Sequence, residues 1–169
     1  LCDVKSKYMI HTLRLAASSV LIVSILAIGG CGLLKKQTLD EPFLEFEKTA
    51  CFGNCPIYVM QFYPNGIVKL DGKQFMDKLG LYELQLDKNE VATIEEELES
   101  MGFCSMESLY GSNAMDFPST FLRYECNDEV KIVEAVTDFP EELLEFIQRI
   151  DQLRKRQDWV ATGANETSN

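Results

Sequence analysis

Apolar and polar side chains alternate along residues 42–49 (PFLEFEKT), which predicts a first strand that turns Phe43 or Leu44 and Phe46 toward a core. Residues 57–63 (IYVMQFY) are rich in β-branched and aromatic types and predict a second strand. Pro64-Asn65-Gly66 then reads as a hairpin turn, because Asn-Gly tolerates the positive φ angles such turns need, and IVKL at 67–70 returns as the partner strand. Alternation resumes over 80–86 (GLYELQL), and residues 119–126 (STFLRYEC) and 129–136 (EVKIVEAV) flank Asn127-Asp128 as a second hairpin.

Between the hairpins the period lengthens. Asp87 and Glu90 have the spacing of a capping box. Val91, Ile94, Leu98 and Met101 then recur at helical spacing, and Gly102 sits where a helix-ending glycine belongs. A second amphipathic helix opens at Asp138, Pro140, Glu141 and Glu142, with Leu143, Ile147, Ile150 and Leu153 inward and Arg154, Lys155 and Arg156 complementing its dipole. Trp159 packs the exit, and residues 161–169 are polar and expected to fray. Strands joined by short turns, with two helices, predict an α+β domain: an antiparallel sheet of about five to six strands with both helices packed on one face.

The pattern before residue 42 is different. Residues 15–28 (LAASSVLIVSILAI) form an apolar run of 14 residues behind basic ones. A spanning helix needs about 20, so the run suits a signal-peptide core better than a first transmembrane helix. It ends in Ile28-Gly29-Gly30-Cys31, and small residues just before a cysteine resemble the lipobox of bacterial lipoproteins, in which the thiol is lipidated before cleavage. The resemblance implies a signal peptide at 1–30, fatty acyl chains such as palmitate on Cys31, a tether at 31–41, a single domain at 42–160 and a disordered tail at 161–169. Met9 is the expected true start, since MIHTLRLAASS makes the more ordinary leader. The partner so implied is the membrane, reached through lipid on Cys31, with the domain in the cell envelope outside the cytoplasm, expected in the periplasm.

Composition narrows the chemistry. The chain has 169 residues, a formal net charge of -11 and 46% hydrophobic residues, enough for one core. Residues 1–30 hold Lys5, Lys7 and Arg14 against Asp3, so of 16 basic and 27 acidic residues, 13 and 26 lie after position 30. A domain so acidic disfavours nucleic acid as a partner. The single histidine, His11, lies in the expected signal peptide. The domain therefore lacks Ser-His-Asp and Cys-His pairs and His-liganded zinc, and no phosphate loop appears. No catalytic residue, metal site or cofactor is predicted.

Cys51, Cys55, Cys104 and Cys126 remain. For Cys51 and Cys55, with Gly53 between them, a local disulfide, a metal or redox site, and free thiols are the three readings. Cys104 and Cys126 read as small buried hydrophobes. Cys51-Phe52-Gly53-Asn54-Cys55-Pro56-Ile57-Tyr58, with the later turn Asn65-Gly66, resembles a group of bacterial domains of unknown function with the pattern C-x-G-x-C-P-x-Y. Asp116-Phe117-Pro118 and Trp159 extend the likeness over about residues 43–159. It implies a domain type and no reaction, with Gly53, Pro56 and Tyr58 as motif residues that either form a site or shape a turn. Three functions compete: a non-enzymatic binding or structural domain with an envelope protein partner, a thiol redox or metal-binding protein using Cys51 and Cys55, and a docking domain using its acidic face.

Overall fold

A computed structural model of the chain describes residues 41–111, 117–127 and 129–163. The expected signal peptide, Cys31 and Asp116 lie outside them. The strands are β1 (Leu44–Lys48), β2 (Ile57–Phe62), β3 (Ile67–Gln74), β4 (Gly80–Gln85), β5 (Leu109–Tyr110), β6 (Thr120–Cys126), β7 (Glu129–Ala135) and β8 (Val160–Gly163). Two helices, α1 (Lys88–Ser100) and α2 (Glu141–Leu153), and one 3-10 turn (Phe103–Ser105) complete the order.

All eight strands belong to one sheet, in the order β5-β7-β6-β1-β2-β3-β4-β8. The expected antiparallel sheet of five to six strands with both helices on one face is therefore corrected to a mixed sheet of eight strands with two helices. The mixed character comes from β5, which pairs parallel with β7 through Leu109 and Tyr110, with β6 intervening in the chain between them. Two strands escape pattern reading because neither has a hydrophobic period. β5 is two residues long, and β8 (VATG) is an exposed edge strand with no buried side chain. β3 also runs past the expected IVKL to Gln74, because the backbones of β2 and β4 pair with its polar DGKQ end on either side.

Period-two burial does drive the central strands. Along β2, Tyr58, Met60 and Phe62 are buried while Ile57, Val59 and Gln61 are partly open. Leu44, Phe46, Val68, Leu70, Leu84, Leu122 and Val133 join them in one core cluster with Val91, Ile94 and Leu98 of α1 and Leu143, Phe146, Ile147 and Ile150 of α2. Fully burying each such side chain contributes about 1.5–3 kcal/mol. Every member lies between Phe43 and Trp159, so the described residues carry their own hydrophobic core.

The helix ends follow local rules. Asp87 accepts from the backbone amides of Asn89 and Glu90 at 2.8 and 2.9 Å, while Glu90 accepts from the Asp87 amide at 2.9 Å. These bonds satisfy donors that a bare helix start leaves unpaired. Gly102, at φ 67°, turns the chain out of α1 in the left-handed conformation that glycine adopts without strain. Trp159 closes the far end of α2 by donating from Nε1 to the Leu153 carbonyl at 2.8 Å.

Candidate functional site

The Cys51–Tyr58 segment connects β1 to β2 at one end of the sheet. Cys51 and Cys55 form a disulfide with their Cα atoms 5.8 Å apart. Inside it the Gly53 amide donates to the Cys51 carbonyl at 2.8 Å, so Phe52, Gly53 and Asn54 form a tight exposed bend. Pro56 leads out of the bend, and the β2–β3 register shifts between Ile57 and Tyr58. The alternation that buries Met60 and Phe62 also turns Tyr58 into the core, where it is fully buried and stacks on Phe46 with centroids 6.0 Å apart.

A buried phenol needs a partner for its hydroxyl. Tyr58 Oη donates to Asp151 Oδ1 on α2, 93 residues away in sequence. Arg154 Nε donates to the same oxygen at 3.1 Å, and its guanidinium lies 6.0 Å from the Tyr58 ring centroid. Lys48 faces Tyr58 across the β1–β2 register, with its ammonium 5.9 Å from the Phe46 ring. The β3–β4 loop closes over this group. Lys78 Nζ donates to the Arg154 carbonyl at 3.2 Å. Gly72 is required beneath the loop, because a Cβ there would meet the Lys78 carbonyl oxygen at 1.9 Å.

The electrostatics follow from burial. Burial raises the Tyr58 phenol far above the ordinary tyrosine range, and its bond to Asp151 raises it further, so it stays protonated as a donor. Burial also pulls the Lys48 ammonium below the usual lysine range; the Asp151 carboxylate opposes that shift and the Arg154 guanidinium adds to it. A phenol that cannot ionise and already donates to a carboxylate is a strut between strand and helix. It is poorly suited to act as a general base.

The structure thus brings Cys51, Gly53, Cys55, Pro56 and Tyr58 together at one end of the sheet. It adds Lys48, Asp151 and Arg154, which sequence reading missed. Asp151 and Arg154 are three apart on α2, a spacing typical of a solvated helix face, and no local signal distinguishes them. The second cysteine pair was missed too. Cys104 and Cys126 form a disulfide with Cα atoms 5.7 Å apart, where they were expected to be small buried hydrophobes. An even number of cysteines, four after residue 41, was the signal available. Tyr110 lies apart from the motif in β5, its hydroxyl accepting from the Glu107 amide at 3.3 Å. Among the described residues no group of three or more His, Cys, Asp or Glu side chains is placed to hold a metal ion, and no helix is long and apolar enough to cross a membrane.

No curated protein and no solved structure matches the chain. A family model does match, over residues 42–154, which span every element from β1 to α2 and include the whole Tyr58–Asp151–Arg154 cluster. The chain belongs to the family of the domain of unknown function DUF6438.

Proposed function

We propose that this chain is a bacterial lipoprotein, held in the envelope by lipid on Cys31, whose domain is a non-enzymatic binding or structural module. One observation carries the second half of that reading. The polar groups that converge at the motif are directed at one another: Tyr58 and Arg154 both donate to Asp151, and Cys51 is bonded to Cys55. With both sulfurs in one bond, no thiolate is left there to hold a metal ion, which weakens the metal half of the competing reading of Cys51 and Cys55. The anchor half rests on the short apolar run and on Gly29-Gly30-Cys31.

Intact-mass measurement of the full chain, expressed in a bacterium and extracted from membranes, tests both halves. The expected product starts at Cys31, carries the added mass of diacylglycerol and fatty acyl chains, and loses both features in Cys31→Ser. In the same sample Cys51 and Cys55 should take up no alkylating reagent until the chain is unfolded and reduced. An unlipidated chain would overturn the anchor. Rapid alkylation of the native protein at Cys51 or Cys55 would put the thiol centre ahead of the binding module.

A further inference from the structure

The sheet has two edges, and one of them is only partly covered. β7 stands next to last in the strand order, with β5 outside it. Among the described residues β7 pairs with β6 along its whole length, Glu129–Ala135, but with β5 only at Glu134 and Ala135. The Glu134 and Val136 amides donate to the Ser108 and Tyr110 carbonyls at 2.9 and 3.0 Å, so the even-numbered residues here turn their backbone groups outward. Val130 and Ile132 therefore each present an amide and a carbonyl along the stretch before β5. Their side chains add apolar surface. Val133 and Ala135 point into the core, whereas Val130 and Ile132, on the other face, are 65% and 43% exposed. A groove of about 310 Å³ runs beside this stretch, lined by Cys104, Cys126, Asn127, Glu129, Val130 and Lys131, and leaves the edge open to another strand.

Open edges recruit extended segments, and proteins blunt them with lysine, proline or bulges. β7 carries one such lysine, Lys131, and Glu129 stands two residues before it. Few registers are open to an antiparallel copy of β7, because its outward-facing even residues must oppose one another. Centring the pair on Lys131 or on Glu129 sets like charges face to face, which is unfavourable. Centring it on Ile132 needs the backbone of Glu134, which β5 already holds. Centring it on Val130 avoids both. Glu129 then opposes the copy's Lys131, twice across the two-fold axis, and Val130 meets itself. The copy's Asn127 comes opposite Val133, so its chain turns away into β6 one residue before β5 begins to pair.

We propose that β7 pairs antiparallel with β7 of a second copy, centred on Val130, and continues the sheet across a two-fold axis. Each copy covers the open edge of the other with the same residues, as an isologous contact does. So short an edge buries less than the roughly 1,200–2,000 Å² of a stable interface, and the dimer is accordingly weak and forms where copies are concentrated. It names one partner for the domain, and it stands whether or not Cys31 carries lipid.

Cysteine variants of the full chain, purified in mild detergent and oxidised with copper phenanthroline, test the pairing and its register on a non-reducing gel. Opposed residues of a hydrogen-bonded antiparallel pair have Cα atoms about 5.5 Å apart, within disulfide reach. Val130→Cys should therefore form a dimer above the parent's background, with peptide masses placing the link between the two substituted positions. Ile132→Cys lies on the same face, but in this register its copy stands about 13 Å away, and it should stay at background. Added to Val130→Cys, Glu129→Lys should cut the dimer about tenfold, and a further Lys131→Glu should restore it. That restoration also shows that the reversed chains fold. No dimer at Val130→Cys, equal dimers at both positions, or a dimer indifferent to Glu129→Lys would each overturn the pairing. None of these readouts is the mass at Cys31, so the dimer and the anchor are tested separately.

Discussion

The two disulfides close very different lengths of chain at opposite ends of one sheet. Cys51–Cys55 has a sequence separation of 4 and Cys104–Cys126 one of 22. In the loop-closure account a bridge stabilises by restricting the unfolded chain, which comes to about 2 kcal/mol for the short loop and about 3 kcal/mol for the long one. Their settings differ as well. Cys104 follows the fully buried Phe103, whose ring meets Tyr124 edge-on at 5.9 Å, so the long bridge ties the exit of α1 to the end of β6. The short bridge encloses Phe52, Gly53 and Asn54, all exposed. One bridge fastens the α1 exit to the sheet. The other shapes a surface bend.

The largest expected effect comes from the long bridge. Cys104→Ser with Cys126→Ser should cost about 3 kcal/mol, read as a lower urea midpoint. Its slope should also change, because the unfolded chain is released from a loop. Equal losses on removing either bridge would end the contrast, since loop length would then not be deciding the outcome.

That contrast was only partly legible in the sequence. The hairpins and both helices can be read because their signals are local: alternation in β2, the Asn65-Gly66 turn, the Asp87–Glu90 box. The disulfide bend could be suspected for the same reason, with both cysteines on one short loop. The Cys104–Cys126 pair, the parallel β5 edge and the Tyr58–Asp151 bond depend on chain closure over long separations, 93 residues in the last case. Local pattern carries nothing about such meetings. β8 is missed for another reason, because Val160–Gly163 pairs by backbone alone and buries no side chain.

A middle-sized effect probes what joins the motif end to α2. Tyr58→Phe removes a buried donor to a carboxylate and should cost about 2 kcal/mol by urea unfolding. Its pH dependence has a defined sign. Because the folded phenol is held above its unfolded value, its contribution is whole below about pH 10 and is lost as the unfolded chain ionises above that. Lys48 acts in the other direction. Its folded value is lowered, so stability rises with pH until the unfolded lysine also releases its proton near about pH 10.4. The parent should therefore gain slightly on the way to pH 10 and fall beyond it, and Tyr58→Phe should keep the gain while flattening the fall. Parallel curves for the two proteins would mean that the hydroxyl is not held by Asp151.

The smallest effect on stability belongs to Cys51→Ser with Cys55→Ser, which should cost at most about 2 kcal/mol, less than the long bridge. Its consequence should instead be local. Without the bridge the bend keeps only the Gly53–Cys51 backbone bond at 2.8 Å, so hydrogen exchange should rise over residues 52–57 and stay unchanged in β6 and α1. Exchange that rises equally in β6 and α1 would make the short bridge a staple of the whole fold. A variant that keeps its stability and loses protection over residues 52–57 alone would separate the two bridges by purpose, one serving the fold and the other the exposed bend it shapes.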